Sequence, residues 1–389
     1  MNILHVIPSL DPSGGGPPAV VVRTAAAQAA LGHTASILTY SQYRPSDSPD
    51  RIRKALSVVP GIQAVHIVNL DPADRAERFL ARGARSRFAQ LQPDVVHMHG
   101  VWEPLLPAIA AAARRRRIPY IVRPAGMLDI WSLRQRAWKK RLALALVHGR
   151  MLRHAAFIHA LNRDEASALE LLKLPTPVRV IPNGVFLSEI EPLPAPGSFH
   201  ARHPELRGQP YILFLSRLHF KKGLDYLADA FSLIAPRHPE VRLVVAGPDD
   251  GYQAEFARQV AAKGLSDRVH IVGGLYGDEK IPAIVDAACF CLPSRQEGFS
   301  VAITEALACG TPVVVSKDCH FPEVAEVGAG SVVPLEPPAI AAALEQILTD
   351  PALRQRMSRA AAALIRARFT WPVIAQSCID GYTAAATPN

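Results

Sequence analysis

The chain is poor in the features that would staple it, span a membrane or hold a structural metal. Its five cysteines (Cys289, Cys291, Cys309, Cys319, Cys378) all fall in the second half and form no C-x-x-C pair. That argues against a disulfide framework and against the common zinc spacings, and it reads as reduced core thiols in an intracellular protein. No apolar run reaches the roughly 18 residues that a membrane-crossing helix needs. Residues 105–113 are rich in alanine and leucine but lead into arginines. The opening Met1-Asn2-Ile3-Leu4-His5-Val6-Ile7 lacks the basic start and cleavage site of a secretory signal and reads as a buried strand. Gly14-Gly15-Gly16 is followed by no Gly-Lys-Ser/Thr, so it is not a Walker loop. The expected location is the cytoplasm, with the inner face of the plasma membrane as a candidate station.

Acidic residues are also scarce in the first half. Residues 1–190 hold 25 Lys/Arg against 13 Asp/Glu, while residues 191–389 hold 18 against 21. The whole net charge of +9 therefore comes from the first half. Such a field favours an anionic partner. No nucleic-acid recognition motif accompanies it, so nucleic acid is not expected.

What is present is an ordinary globular composition, 49% hydrophobic and 20% charged, over 389 residues. At about 150 residues per domain that predicts two or three domains. Short apolar strands alternate with helical patterns: strands over 2–7, 34–40, 94–99 and 120–123; helices over 18–31, 75–91, 105–117 and 133–152. This rhythm predicts a parallel sheet covered on both faces. Residues 175–210 carry eight prolines and little periodicity, and read as the interdomain connection. The rhythm then restarts, with strands over 211–215, 241–246, 269–272, 289–292 and 312–316. Helices are expected over 223–235, 252–263, 281–287 and 300–308. Two doubly wound α/β domains in tandem would place a cleft between their facing strand ends.

Two clusters in the second half carry chemistry. In Pro293-Ser294-Arg295-Gln296-Glu297-Gly298-Phe299-Ser300, a strand ends and a helix begins near Ser300. Amides at a helix start suit a phosphate, and Gly298 allows close approach. Glu305 follows on the helix, away from the face of Glu297. In Ser216-Arg217-Leu218-His219-Phe220-Lys221-Lys222-Gly223, Arg217 and Lys222 lie five apart on a strand-to-helix loop. A guanidinium and an ammonium there can hold a diphosphate.

Glu297 and Glu305 with seven residues between them, Arg217 and Lys222 in S-R-x4-K-G, and A-x-G-T-P-V-V (residues 308–315) resemble glycosyltransferase family 4. The resemblance continues through Ile7-Pro8-Ser9, Gly14-Gly15-Gly16, Gly32-His33, Ile181-Pro182-Asn183-Gly184-Val185 and Phe369-Thr370-Trp371. It implies the GT-B fold, two Rossmann-like domains facing across a cleft. Residues 1–185 would form the acceptor domain and 186–369 the donor domain, with a last helix over about 370–389 packing back on the first. It implies a retaining transferase using a nucleotide-sugar donor, with a glycan or lipid-linked acceptor and a role in cell-surface polysaccharide assembly. By this likeness Glu297 would contact the donor sugar and Glu305 the ribose. Arg217 and Lys222 would hold the diphosphate. The amides of Gly298, Phe299 and Ser300 would add to donor binding, the loop at Gly273 would receive the base, and Gly14, Gly15 and Gly16 would approach the phosphates. The chain contains no D-x-D. Arg217 and Lys222 can stand in for a metal ion, so no metal and no other cofactor is expected.

On the acceptor side, His97 and His99 share one strand face. With no third ligand evident, His97 is read as structural, while His99 or Trp102 would line the acceptor cleft. In Arg123-Pro124-Ala125-Gly126-Met127, Ala125 stands where many relatives carry a histidine. Arg123 or His99 are the candidates to compensate. The basic, tryptophan-bearing segment 131–144 suits either a solvated amphipathic helix or peripheral contact with an anionic membrane. The competing functional readings are a nucleotide-sugar-binding protein without transfer, and an epimerase-like or phosphorylase-like enzyme of the same architecture.

Overall fold

The structure, a computed structural model, describes residues 1–11, 16–40, 49–70, 77, 80–129, 132–133, 137–206 and 208–386. The chain divides into two compact units. The first comprises Met1–Phe186 with Trp371–Asn389, and the second Leu187–Thr370. The break at Phe186 lies ten residues upstream of Pro196, well inside the proline-rich stretch.

The first unit holds a seven-stranded parallel sheet in the order β3-β2-β1-β4-β5-β6-β7. The strands are β1 Asn2–Val6, β2 Thr34–Tyr40, β3 His66–Leu70, β4 Val95–His99, β5 Tyr120–Arg123, β6 Phe157–Ala160 and β7 Val178–Val180. β1, β4, β5 and β6 are almost wholly buried, as expected for a sheet covered on both sides. Alternation sends Ile3, Val95, Ile121 and Phe157 to one face, against the helices Gly16–Ala30 and Trp371–Ala386. Leu4, Val96, Val122 and Ile158 go to the other, against the helix Leu105–Arg115.

The second unit repeats the plan with six parallel strands, ordered β10-β9-β8-β11-β12-β13. They are β8 Tyr211–Leu215, β9 Arg242–Ala246, β10 Val269–Gly273, β11 Cys289–Leu292, β12 Val313–Ser316 and β13 Gly330–Val333. Buried Leu224, Leu227, Ala228, Phe231 and Ile234 recur at helical spacing in the helix Leu224–Ile234, which packs on this sheet. In both units the strand order reverses beside the first strand, at β1/β4 and at β8/β11. Ligands of open α/β sheets bind outside the carboxyl ends of the strands at such a point.

Several sequence expectations need correction. Strands β3, β6, β7 and β13 went unpredicted, and β7 lies within the stretch read as connection. The helix expected over 75–91 is broken at Ala81, which takes a left-handed backbone conformation (φ 47°): Glu77 and Leu80 are helical before it, and Arg82–Leu91 follows. The long helix expected over 133–152 is interrupted. Ala137–Ala143 is followed by a π-helical turn, Leu144–His148, and then by Gly149–Arg153. The Gly149 N–H bonds the Leu144 carbonyl. A Cβ at position 149 would lie 2.3 Å from that oxygen, so glycine permits the widened turn.

Candidate functional site

The loops after β8 and β11, at the switch point of the second unit, bring the second-half clusters together. Two glycines allow this. Gly223 has φ 70°, and a Cβ there would sit 1.8 Å from the Pro293 carbonyl oxygen. Gly247 has φ 148°, and a Cβ there would sit 1.8 Å from the Ser216 carbonyl oxygen. Arg295 then ties the two loops. Its guanidinium donates to both carboxylate oxygens of Asp225 (2.8 and 2.5 Å) and to the Phe220 carbonyl (2.8 Å). It also lies 3.9 Å above the Phe220 ring. A bidentate, stacked arginine is a directional tie.

Held this way, Lys222 reaches Glu297. The Lys222 ammonium is 2.5 Å from Glu297 Oε1, and the Ser294 hydroxyl donates to the same oxygen at 2.7 Å. Their side chains are only 15% and 9% exposed, so each charge depends on the other. Arg217 is 62% exposed and pairs with Asp250 at 2.6 Å, a surface contact of little energetic weight. Glu305 sits on the helix Val301–Ala308 and accepts a 2.6 Å bond from the Lys280 ammonium. The Ser300 side chain caps that helix by accepting from the Ile303 N–H. Gly298 is exposed, and the Phe299 ring packs with Phe321 and Phe369. Gly273 (φ 76°) ends β10, and its carbonyl accepts from the Gly247 N–H at 2.7 Å. Sequence reasoning missed Lys280, Ser294 and the Arg295–Asp225 tie. Lys280 lies 25 residues before its partner, with no spacing signal to mark it. A groove of about 480 Å³ opens at the opposite end of the same sheet, lined by Asp286, Thr311, Arg354 and Ser358, and holds none of these residues.

The first unit treats its polar residues differently. His99 and Arg123, expected to face an acceptor, are only 3% and 2% exposed. Parallel pairing sets His5 opposite His97 and His99 opposite Arg123, with His159 on β6. The sequence had suggested no third histidine near His97 and His99. The sheet supplies His5, whose ring nitrogens come within 4.8 Å of theirs. Hydrogen-bond bookkeeping assigns each tautomer. The Ile181 carbonyl can only accept, so His159 Nε2 donates to it (2.6 Å) and His159 Nδ1 accepts from His97 Nε2 (3.2 Å). His97 Nδ1 then accepts from the Tyr382 hydroxyl (2.7 Å), which accepts from the Gln28 amide (3.1 Å). Gln28 Oε1 accepts from His5 Nε2 (2.7 Å), and His5 Nδ1 accepts from His99 Nε2 (2.9 Å). His99 Nδ1 faces an Arg123 N–H at 3.4 Å, and Arg123 also donates to Asn183 Oδ1 at 2.6 Å.

This chain works only with four neutral imidazoles. Burial pulls His5 down to about 4 and His159 to about 3, and holds His97 and His99 well below the usual range. Burial likewise lowers Arg123 to about 10. The three nitrogens grouped as in a metal site are thus bonded to protein partners, beside a buried cation. Neither His99 nor Arg123 offers a free polar face. Ala125 (φ 52°) and Gly126 (φ 80°) form a turn held from inside by Glu165, whose carboxylate accepts from the Gly126 and Leu161 N–H groups (2.6 and 2.7 Å). Trp102 is partly buried, edge-on to His148 at 5.7 Å, with the Lys140 ammonium 5.3 Å above its ring. Gly16 opens the helix Gly16–Ala30 with nothing within 4 Å of a Cβ placed on it. Gly14 and Gly15 lie outside the described residues, as do Trp131, Arg134 and Arg136 of the basic segment.

Residues 15–184 match the family described as Glycosyl transferase 4-like domain, and residues 198–364 match Glycosyl transferases group 1. The chain is 31% identical to an alpha-D-kanosaminyltransferase of Streptomyces kanamyceticus over 179 residues, 44% of this chain and 46% of that protein. It is 31% identical to a phosphatidyl-myo-inositol mannosyltransferase of Mycobacterium leprae over 215 residues, 53% of this chain and 54% of the relative. The chain thus spans about half the length of the curated relatives it matches. Among solved structures, Anabaena HepE in complex with UDP and glucose superposes with a TM-score of 0.75 at 19% identity, over 98% of this chain and 99% of that one. Sucrose-phosphate synthase from Thermosynechococcus elongatus gives 0.74 at 21% identity, over 98% of both chains. These structures show the fold, and the two family matches cover one unit each. With its two parallel sheets, each reversing order beside its first strand, the chain belongs to the family-4 type glycosyltransferases of GT-B fold.

Proposed function

We propose that the protein is a retaining glycosyltransferase. It moves a sugar from a nucleoside-diphosphate sugar to a glycan or lipid-linked acceptor in cell-surface polysaccharide assembly, at the cytoplasmic face of a membrane. The observation that carries this reading is the Lys222–Glu297 pair. Two residues 75 apart in sequence meet, mostly buried, beside the switch point of the second sheet. The relatives named above support a sugar transfer, and HepE was solved with UDP and glucose.

Breaking a sugar–phosphate bond builds negative charge on the diphosphate and positive charge at the anomeric carbon. Fixed cations at the diphosphate stabilise that state without reorganisation. Lys222 and Arg217 are assigned that role. Without a donor, the Lys222 ammonium is balanced by Glu297, so an arriving diphosphate competes for it and frees the carboxylate for sugar hydroxyls. Glu305, steadied by Lys280, is assigned to the ribose, and the Gly298, Phe299 and Ser300 amides to the donor. Retention and independence from metal follow the family likeness and the two cations.

Calorimetry with UDP tests the assignment. Lys222→Ala is expected to weaken binding by about tenfold or more, as for loss of one charge-assisted contact. Unchanged affinity contradicts the diphosphate role. Transfer is expected to survive EDTA, and a complete loss restored by magnesium refutes the metal-free reading.

A further inference from the structure

The interrupted helical segment after β5 has two unlike sides. Inward, His148, Gly149, Met151 and Leu152 are buried in the first unit. Outward, Trp138, Leu142, Leu146 and Val147 are 68%, 52%, 70% and 47% exposed. Trp138, Leu142 and Leu146 follow one another at intervals of four, so they form a row along one side of the segment. A solvated helix face carries charges of both signs at such positions. Here four large apolar side chains stand in water within ten residues.

The charge along their own segment has one sign. Between Asp129 and Asp164 the sequence holds eight Lys/Arg and no acidic residue. Lys139, Arg141 and Arg150 are exposed beside the apolar row, and the Lys139 ammonium lies 5.4 Å from the Trp138 ring centre. Apolar side chains that can enter the acyl boundary, an indole suited to the headgroup level, and cations flanking both match an anionic bilayer. A segment without acids also argues against a protein partner with a mixed-charge rim.

We propose that the outer face of residues 138–150 is a membrane-docking surface. It lies on an anionic bilayer with Trp138, Leu142, Leu146 and Val147 inserted and Lys139, Arg141 and Arg150 at the headgroups. The proposal gives the assigned transfer its lipid surface and rests on that reading only there, because docking needs neither sugar nor acceptor.

The test is sedimentation of the full chain with vesicles of phosphatidylcholine alone, and with vesicles of equal parts phosphatidylcholine and phosphatidylglycerol. The wild type is expected to pellet with the anionic vesicles only, and less as salt is raised. Lys139→Glu combined with Arg141→Glu is expected to lower partitioning by about tenfold or more. Trp138→Ser combined with Leu146→Ser is expected to do the same through lost apolar insertion. Both variants change exposed positions, so their melting and their UDP affinity should match the wild type. The proposal is overturned if the wild type ignores anionic vesicles, or if the variants pellet as it does. It is also overturned if the wild type ignores vesicles but forms a dimer that Trp138→Ser with Leu146→Ser dissolves, which assigns the face to a second copy. Vesicle binding in a protein that binds neither UDP nor any other nucleoside diphosphate keeps the docking and removes the transfer reading.

Discussion

The two units share a strand order and differ in what they do with charged and polar residues near their strand ends. In the second unit the loops after β8 and β11 carry Arg217 in an exposed pair with Asp250, and Lys222 and Glu297 in a mostly buried one. In the first unit the carboxyl-end residues His5, His97, His99, Arg123 and His159 turn inward. They close one hydrogen-bond chain with Gln28 and Tyr382, the latter on the C-terminal helix. The lesson is that polar residues at the right end of a parallel sheet do not by themselves mark a site. Half-buried pairs with a competing ligand chemistry suit binding. A fully satisfied buried chain specifies packing, here the docking of Trp371–Ala386 on the sheet.

This contrast can be broken at several points. The largest effect is expected from Glu297→Ala, which should lower transfer by about a thousandfold in a protein that still folds, with some stability lost because Lys222 keeps a mostly buried charge without its partner. Turnover at the wild-type rate would remove Glu297 from the site. Gly223→Ala comes next. Its Cβ cannot share space with the Pro293 carbonyl, so the loops must part. UDP affinity should fall, with about 1–3 kcal/mol of stability lost by denaturant titration. Unchanged UDP binding would mean that the close approach of the two loops does not shape the site.

Tyr382→Phe sharpens the other half of the comparison. It leaves His97 Nδ1 and a Gln28 N–H without a partner inside the core, at a cost of about 1–3 kcal/mol. UDP affinity should not change. A fall in UDP affinity without a loss of stability would reverse the roles given to the two units.

The last test is a pH dependence. His5 and His159 titrate near 4 and 3 in the folded chain against 6.5 when unfolded. Between pH 6.5 and about 4 the unfolded chain therefore binds more protons. Stability should fall as pH drops through that window and stay level above it, by up to about 1.4 kcal/mol per pH unit for each histidine. Hydrogen exchange should rise first in the helix Trp371–Ala386. Protection that stays uniform down to pH 4.5 would show that the histidine chain does not hold that helix.

The sequence by itself determined the fold class, the two-domain plan and the residues of the two loop clusters in the second half. Apolar strands alternating with helices admit few arrangements, and Arg217, Lys222, Gly298 and Ser300 announce themselves through loop and cap chemistry between a strand and a helix. Short strands such as Val178–Val180 escaped, because three residues amid prolines show no period. Partners distant in sequence escaped as well. That Lys222 meets Glu297 and that Arg295 binds the loops together depends on β8 lying beside β11, and that Lys280 steadies Glu305 depends on the helix Lys280–Val285 packing beside Val301–Ala308. From sequence, His97 read as structural and His99 as a candidate for the acceptor side. Only the pairing of β1, β4, β5 and β6 showed what surrounds them, because strand register, and not sequence spacing, set His5, Arg123 and His159 around them and joined their nitrogens in one hydrogen-bond chain.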